Sequence, residues 1–376
     1  MRYKLKDIFD LQMGRTPSRD KKDYWNTNDN KWISIADLTK SVKYVTNTKE
    51  YISDSAVIES GIKIIPAKTV VMSFKLSIGK TAITSEDMYS NEAIMAFHDK
   101  HVVELLPDYI YYMFKYKKWD NGSNTAVKGK TLNKAILLEH EIEICSLEKQ
   151  KYIVKILDKV SSILEDKNHQ LALLDELVKA RFVEMFGNPV INSRKWKTEE
   201  LNSIAPISNF SGNLEDKVWL LNLDMIEPQT GRIIDYLYVS IDEVGSSTCK
   251  FDTDNVLYSK LRPYLNKVVI PDRSGYATSE LVPLRPKKSK LNRVYLAFLL
   301  RSNEFVNMIN EKVAGAKMPR VSMTELKKFR VPVPPIELQN EFAEFTKQVD
   351  KSREIIQKKI DTYQELFDKL MQEYFG

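Results

Sequence analysis

The chain has 376 residues, of which 43% are hydrophobic and 29% are charged, a balance typical of folded globular domains. Lysine and arginine exceed aspartate and glutamate by six (57 against 51), which permits a polyanionic partner without requiring one. Twelve glycines and fourteen prolines exclude a collagen-like or low-complexity chain, and the length favours two or three domains.

The sequence favours a cytoplasmic location. It has two cysteines, Cys145 and Cys249, so a disulfide framework is not expected and a reducing compartment is. The first residues lack the apolar core of a signal peptide. No apolar run approaches the ~18 residues that a membrane-spanning helix needs, so no contact with a membrane is expected.

Residues 1–147 are predicted to form a compact α+β domain. Short apolar runs such as Val70–Phe74 and Ala93–Phe97 are separated by turns, as β-strands are. A helical pattern at Tyr109–Tyr116 lies among the later turns. Short strands mixed with helices are typical of a layered α+β fold.

Residues 148–187 are predicted to form one long helix with a coiled-coil seam. The segment from Glu148 to Phe186 lacks glycine and proline, and its apolar residues alternate at spacings of four and three. The predicted seam residues are Ile153, Leu157, Val160, Leu164, Leu171, Leu174 and Val178.

The rest of the chain repeats this plan at an offset of 189 residues. Segment 140–150 corresponds to segment 329–339, and the Phe-Gly pair at 186–187 corresponds to the pair at 375–376. A second domain is therefore predicted over 188–335 and a second long helix over 336–376. The seam residues predicted in the second helix are Phe342, Val349, Ile356, Ile360, Tyr363 and Phe367.

The two helices are predicted to pair in antiparallel orientation. Forty helical residues span about 60 Å, which exceeds the width of a domain of ~140 residues, so the apolar stripe needs another partner. Because the ends of a domain usually lie close together, the second helix should start where the first one ends. The predicted fold class is α+β, with two globular α/β domains joined by two long antiparallel coiled-coil helices in a pseudo-two-fold arrangement. The alternative is that each helix packs only on its own domain.

The sequence shows no catalytic, metal-binding or cofactor-binding pattern. Its four histidines have no metal-ligand spacing with one another or with the cysteines. It contains no G-x-G-x-x-G or Walker A motif for a nucleotide, and no Asn-Pro-Pro-aromatic motif of an amino-methyltransferase. We therefore predict no catalytic residue, metal or cofactor in this chain.

These features together resemble the specificity subunit of type I restriction–modification systems. The segment Leu5–Ser18, followed by Tyr24 and Trp25, looks like the beginning of that family. Val331–Gln339, in which prolines precede a Glu-x-Gln sequence, is very similar to the family's motif at the start of the helix. The resemblance covers essentially the whole chain, and the duplicated architecture is its most specific part.

The resemblance implies a non-catalytic DNA-recognition subunit. Each globular domain would be a target recognition domain for one half of a split, asymmetric sequence in double-stranded DNA, and the helices would set the gap between the halves. Two modification (methyltransferase) subunits would dock on the helices, and restriction (motor-nuclease) subunits would join them. S-adenosylmethionine would then be bound by the modification subunits.

Three segments in each domain combine cations with hydrogen-bonding side chains, the combination that contacts phosphates and base edges. The candidates in the first domain are Arg15, Thr16, Ser18, Lys75, Ser77, Lys80, Lys128, Lys130 and Asn133. The candidates in the second domain are Lys260, Arg262, Tyr264, Asn266, Lys267, Lys317, Arg320 and Ser322. Arg262 and Arg320 are predicted to recognise guanine, and Asn133 and Asn266 adenine. This interpretation requires the segments to converge, and for any single residue an ordinary solvated loop is an equally good interpretation.

Two other functions remain open at this level. A coiled-coil adaptor with two protein-binding end domains would explain the helices and the weak net charge, but not the two related domains beside them. An enzyme with an unrecognised site is the least favoured interpretation, because the sequence contains none of the usual catalytic patterns.

Overall fold

The computed structural model describes residues 1–25, 27–75, 77–119, 133–312 and 318–376. The chain divides into two compact units. The first unit contains Met1–Asp166 and Lys359–Gly376, and the second contains Lys167–Lys358. Each unit therefore includes one globular part and portions of both long helices.

The first unit combines short strands and helices. Its strands are β1 (Arg2–Lys4), β2 (Phe9–Met13), β3 (Asn30–Ile33), β4 (Tyr44–Val45), β5 (Glu50–Ile52), β6 (Val70–Ser73), β7 (Thr81–Thr84), β8 (Tyr89–Ser90), β9 (Ile94–Asp99) and β10 (Glu141–Glu143). Its helices are α1 (Leu5–Ile8), α2 (Ile35–Lys40), α3 (Asp54–Ser60), α4 (Pro107–Tyr116), α5 (Lys134–Glu139) and the first part of α6 (Leu147–Phe186).

A five-stranded sheet forms the centre of the first unit. Its strand order is β2-β9-β6-β7-β4, and a second sheet has the order β5-β3-β8. Every residue of β6 and β7 is buried, as expected for central strands covered on both faces. Phe9, Phe97 and Phe114 meet edge to face with ring centroids 4.8–6.2 Å apart, which packs α4 against the sheet.

The second unit has a related composition with different sheets. Its strands are β11 (Thr198–Glu200), β12 (Lys217–Leu221), β13 (Leu237–Ser240), β14 (Thr248–Phe251), β15 (Val256–Ser259), β16 (Val268–Val269), β17 (Gly275–Thr278), β18 (Leu281–Leu284) and β19 (Arg330–Pro332). Its further helices are α7 (Leu201–Ile204), α8 (Arg293–Arg301), α9 (Asn303–Glu311), α10 (Met323–Lys328) and α11 (Ile336–Phe375). The main sheets have the orders β13-β12-β17-β14 and β16-β15-β18.

The repeat seen in the sequence is present in the structure. Helices α6 and α11 begin and end 189 residues apart, and so do α5 and α10. The pairs β1·β10 and β11·β19 are equivalent two-stranded ladders beside the starts of the long helices. The globular parts share the strand orders β5-β3-β8 with β13-β12-β17 and β7-β6-β9 with β16-β15-β18. They differ in the strands added to these cores, which are β2 and β4 in the first unit and β14 in the second.

The predicted seam is buried in the first unit. Ile153, Leu157 and Val160 of α6 belong to one core with Phe367 of α11. Leu164 and Tyr363 are partly buried against the same core, and Ile360 is half-buried. The beginning of α6 thus packs against the end of α11, as antiparallel pairing requires.

The predicted seam is also buried in the second unit. Val178, Phe342 and Val349 belong to one core, and Leu174 packs against it. Leu171 and Ile356 are half-buried.

Two ion pairs in the second unit give the relative direction of α6 and α11. Arg181 Nη2 lies 3.1 Å from the carboxylate of Glu341, and Arg353 Nη2 lies 2.6 Å from that of Asp175. Residue numbers rise along α6 as they fall along α11. The antiparallel pairing of the α+β fold class is therefore confirmed.

Two aromatic residues of α6 were not included in the predicted seam. Phe182 and Phe186 are buried in the second unit, where both contact Tyr295 of α8 and Phe342 of α11. They lie off the strict four-three spacing because they face the globular part as well as the partner helix. Within the described ranges, no helix is both long and apolar enough to cross a membrane.

Candidate nucleic-acid interface

Two candidate loops of the first unit lie at the same edge of the five-stranded sheet. Strands β2 and β6 both pair antiparallel with β9, so both end where β9 begins. The loop that follows β2 contains Arg15, Thr16 and Ser18, and the turn that follows β6 contains Lys75, Ser77 and Lys80. The sheet topology therefore brings together segments that are about sixty residues apart in sequence.

The first loop turns at Gly14. A Cβ on Gly14 would lie 2.2 Å from Ser90 Oγ and 2.3 Å from the carbonyl oxygen of Asn91, so only glycine fits. The next residue, Arg15, is exposed, and its guanidinium donates to the carbonyl of Ser60. Ser18 is exposed as well.

Glu92 interacts with residues of both loops. It accepts a hydrogen bond from the hydroxyl of Thr16, and this bond lowers the pKa of Glu92. The charges of Lys75 and Arg19 lower that pKa further. Cations from both loops therefore lie near enough to this carboxylate to lower its pKa.

An arginine of the first loop is stacked on aromatic rings. The guanidinium carbon of Arg19 lies 3.7 Å from the ring centroid of Trp25 and 5.1 Å from that of Trp32. Glu50 binds the same guanidinium, with Arg19 Nη2 3.1 Å from Oε2. We did not select Arg19 from the sequence. The nearby Tyr24-Trp25 pair is the signal that marks it, because arginine stacks readily on tryptophan.

The turn between β6 and β7 lies against Trp119. Gly79 has a φ of +88°, and a Cβ there would lie 3.2 Å from Cδ1 of Trp119. Lys75 and Lys80 are half-exposed and Ser77 is exposed, and Lys80 donates to the hydroxyl of Thr39. Two candidates of the third segment, Lys128 and Lys130, lie outside the described residues.

The last candidate of the first unit is a helix cap. Asn133 precedes α5, and its side-chain oxygen accepts from the backbone N–H of Ile136 at 2.8 Å. Ser322 occupies the equivalent position before α10 and accepts from the N–H of Glu325 at 3.4 Å. Both residues are exposed, so each combines a structural role with an accessible position.

Two candidate segments of the second unit are joined directly by backbone hydrogen bonds. Leu261 and Arg320 form an antiparallel bridge. The N–H of Arg262 donates to the carbonyl of Pro319 at 2.8 Å, and the N–H of Val321 donates to the carbonyl of Lys260 at 2.9 Å. The convergence that the sequence interpretation required is present for these two segments.

The two arginines of this bridge differ in what surrounds them. Arg320 lies 2.9 Å from Glu280 through Nη2, and this carboxylate raises its pKa. Arg262 is exposed, and its side chain forms no hydrogen bond or ion pair with any residue that the structure describes. Its φ of +49° places it in the left-handed region, which costs a non-glycine residue roughly 1–2 kcal/mol.

Two predicted DNA contacts of the second unit, Asn266 and Lys267, form hydrogen bonds within the protein. Asn266 is 5% exposed, and its Nδ2 donates to the carbonyl of Arg301 at 2.8 Å. The burial of Asn266 weighs against the predicted adenine contact, because its amide nitrogen is used within the protein. Lys267 donates to the carbonyl of Leu223 at 2.6 Å, and burial lowers the pKa of Lys267.

The remaining candidates of the second unit lie near the bridge. Tyr264 is 48% exposed and follows Arg262 in a short 3-10 turn. Lys317 lies outside the described residues. The role of each candidate in binding DNA stays a prediction.

A second stacked arginine occurs at the other end of β17. The guanidinium carbon of Arg273 lies 4.7 Å from the ring centroid of Tyr236 and 6.0 Å from that of Trp219. Its Nη1 also donates to the hydroxyl of Tyr238 at 2.6 Å. Because Arg273 precedes β17 and Glu280 follows it, this stack is separate from the Arg262–Arg320 bridge. Within the described ranges, no group of three or more His, Cys, Asp or Glu residues is placed to hold a metal ion.

The fold and the loops define a class of protein in which a recognition domain and a long helix are both duplicated. The family described as type I restriction modification DNA specificity domain matches residues 1–174 and 230–363, and the chain belongs to this family.

Relatives of the chain carry the corresponding names. The type I restriction enzyme MjaIX specificity subunit of Methanocaldococcus jannaschii is 31% identical over 206 residues, which cover 52% of this chain and 45% of the relative. The EcoDI specificity subunit of Escherichia coli is 28% identical over 136 residues, covering 36% and 30%. The MjaVIII specificity subunit of M. jannaschii is 23% identical over 331 residues, covering 79% and 74%. The matched part of this chain thus spans less than half the length of the first two relatives.

Solved structures show the same fold. The type I restriction–modification S subunit from M. genitalium matches with a TM-score of 0.58 at 14% identity, covering 100% of this chain and 96% of that chain. A chain solved in a study of complex assembly and conformational transition of the type I R-M system matches with a TM-score of 0.59 at 13% identity, covering 100% and 97%. At these identities the likeness concerns the fold alone, and it confirms the two-domain α+β class.

Proposed function

We propose that this chain is the DNA-recognition subunit of a type I restriction–modification complex and recognises a split, asymmetric sequence. Each globular domain contacts one half-site in double-stranded DNA. The chain itself contributes no catalytic residue, and methylation and cleavage belong to partner subunits. Family membership and the names of the relatives support this function over that of a protein-binding adaptor.

The observation that carries the proposal is the grouping of exposed cations from segments distant in sequence. In the first unit, the loop after β2 and the turn after β6 share one sheet edge. In the second unit, a β-bridge joins the segments of Arg262 and Arg320. A fold that gathers basic loops without a metal or nucleotide motif is suited to a polyanionic ligand, because phosphates take up lysine and arginine contacts.

The two groups differ in the chemistry that they offer to DNA. In the first unit, Lys75 and Lys80 supply flexible point charges for phosphates, and Arg19 is fixed by stacking. In the second unit, Arg262 and Arg320 supply planar guanidinium groups that match the O6 and N7 acceptors of guanine. Unlike surfaces on the two domains favour two different half-sites, and thus an asymmetric target.

The paired helices act as the spacer and as the docking element for partners. Seam residues of α6 and α11 are buried in each unit, so their outward faces are available to two modification subunits. S-adenosylmethionine is then bound by those subunits, and restriction subunits complete the complex. The proposal assigns the two recognition domains to residues 1–147 and 188–335. It assigns the two long helices to residues 148–187 and 336–376.

A map of methylated adenines tests the function. Cells that contain the cognate modification subunit are sequenced with and without this gene. We expect one split motif to be methylated only when the gene is present. If no methylated motif depends on the gene while the purified complex is intact, the proposed function is wrong.

A further inference from the structure

The second unit contains a cavity that the DNA-recognition proposal does not use. It has a volume of about 730 Å³ and lies between α8, the segment around Arg232, and the helices α6 and α11. Phe182 and Phe298 form part of an apolar wall. Cavities of this size and mixed character are typical of small-molecule sites.

Three arginines from separate elements line the polar side of this cavity. Arg232 Nη2 lies 2.7 Å from both carboxylate oxygens of Asp175, and Arg353 Nη2 lies 2.6 Å from one of them. Two guanidinium groups therefore share this carboxylate. Each has a second carboxylate farther away, since Arg232 Nη1 lies 3.6 Å from Glu227 and Arg353 Nε lies 3.7 Å from Asp350. Arg301 donates through Nε to the carbonyl of Val268 at 2.9 Å, which supplies no full negative charge.

Part of this polar side is left without hydrogen-bond partners. Arg353 Nη1 and Asn266 Oδ1 are buried, and neither has a partner among the residues that the structure describes. Arg353 is only 16% exposed through its side chain. A buried donor without a partner loses its hydrogen bonds to water without replacement, so a ligand that accepts from Arg353 removes this penalty.

The charges of the cavity are not balanced. Seven lysine and arginine side chains line it against four carboxylates. Burial lowers the pKa of Arg301 to about 10 and raises the pKa of Asp350. Burial therefore disfavours the charged form of both side chains. An added negative charge would stabilise the arginines.

The first unit provides a comparison, because it has a cavity of similar size. Lys43 lines this cavity, which lies beside the corresponding helices, α4 and α6, and has a volume of about 830 Å³. Its Nζ lies 2.5 Å from Asp108 and 2.6 Å from Asp158, so one cation has two carboxylates. Four lysines and four carboxylates line that cavity. The excess positive charge is thus particular to the second unit.

We propose that the cavity of the second unit binds a small phosphorylated metabolite with a flat apolar body, of mononucleotide size. Its phosphate accepts from Arg353 and Arg301, since guanidinium groups bind phosphate oxygens in pairs. Its flat body packs against Phe298, which is half-buried. The ligand contacts both the globular part and the long helices of this unit, so binding stabilises their packing.

Titration of the full-length chain with adenosine monophosphate tests the proposal, with inorganic phosphate and adenosine as partial ligands. Isothermal calorimetry and the melting temperature are measured for each. We expect saturable binding of adenosine monophosphate and at least tenfold weaker binding of either part alone. Absence of saturable binding at millimolar concentration overturns the proposal.

Four variants locate the binding. Arg353→Gln removes the free donor, and Ala343→Phe fills the cavity while keeping every charge. Each should weaken binding at least tenfold, and the second variant keeps the test valid if the first unfolds. Lys43→Met, in the other cavity, and Arg262→Gly, at the candidate DNA surface, should bind as the parent chain does. Loss of binding in either control, or full binding by both cavity variants, overturns the proposal.

Discussion

Gln150 and Gln339 make the same three hydrogen bonds in the two units. Both side chains are fully buried. The amide oxygen of Gln150 accepts from the N–H of Leu106 at 2.9 Å, and that of Gln339 accepts from the N–H of Asn292 at 2.8 Å. Leu106 and Asn292 are the N-cap residues of α4 and α8. The third residue of the Glu-x-Gln sequence thus joins the start of each long helix to a helix of the globular part.

The other two bonds use the amide nitrogen. In the first unit it donates to the carbonyls of Glu104 and Cys145, and in the second to those of Lys290 and Pro334. Each glutamine therefore satisfies three backbone groups at once. This explains why the residue recurs at an offset of 189, although the surrounding domains differ.

Replacing either glutamine by leucine should strongly destabilise its unit. Gln150→Leu or Gln339→Leu leaves one N–H and two carbonyls without their side-chain partner. An unsatisfied group of this kind costs about 1–3 kcal/mol when it is buried. We expect the free energy of unfolding to fall by roughly 2–4 kcal/mol, measured by urea denaturation. Gln372→Ala, on the exposed face of α11, is the control and should change stability by about 0.5 kcal/mol or less. Equal effects from the buried and exposed sites would contradict this role.

Replacing Arg262 by glycine should separate DNA recognition from stability. Its φ of +49° suits glycine, so Arg262→Gly relieves backbone strain while removing the guanidinium. We expect an unchanged or slightly higher melting temperature and a loss of about 1–3 kcal/mol of discrimination at one base pair. Gel-shift titration of the complex with modification subunits, on matched and single-mismatch duplexes, measures the discrimination. Unaltered discrimination would remove Arg262 from the interface.

Replacing Lys75 should weaken binding to all sequences alike. A phosphate contact carries no sequence information, so Lys75→Gln should reduce the salt dependence of binding by about one counterion. Lys68→Gln is a matched control, because Lys68 is exposed and precedes β6, at the opposite end of that strand. Binding is measured by fluorescence anisotropy at several salt concentrations. A similar loss in the two variants would place the DNA elsewhere.

Lengthening both long helices should change the gap in the recognised sequence. Seven residues inserted after Asp166 and seven after Lys358 preserve the heptad pattern and add about 10.5 Å to each helix. At ~3.4 Å per base pair, the methylated motif should gain about three base pairs between its halves. The methylated-adenine map measures the gap, and insertion in one helix alone is the control, which should abolish methylation. An unchanged gap after the double insertion would show that the helices do not set it.

Two histidines of the first unit should make stability depend on pH. Burial lowers the pKa of His98, and burial together with the charge of Lys117 lowers that of His140. The unfolded chain then binds more protons below the unperturbed pKa of about 6.5, so stability falls as the pH falls through that region. The variant with His98→Gln and His140→Gln should show a shallower fall in its urea midpoint. His169→Gln, an exposed change on α6, should retain the parent slope.

The long helices and the repeat were accessible from sequence because they depend on local periodicity. Heptad spacing and the lack of glycine and proline predicted α6 and α11, and their buried seam residues follow that spacing. Phe182 and Phe186 escaped the pattern because their burial depends on α8, which is distant in sequence. The convergence of the candidate loops depended on strand order, which no local signal specifies.

Individual site residues were harder to predict, because exposure depends on tertiary contacts. Asn266 and Arg262 stand four residues apart in one polar turn. The structure buries Asn266 against Arg301 and leaves Arg262 exposed. Arg19 was overlooked because its stacking needs Trp25 and Trp32 on the same side of a fold that the sequence does not specify.

The sequence by itself determined the duplication, the two coiled-coil helices and the family, because periodic burial and repeated motifs are written along the chain. The tertiary structure alone decided which cations share a surface and which arginines surround the cavity of the second unit. The physical reason is that charges interact through space, so their partners are set by how strands and helices pack and not by their separation in sequence.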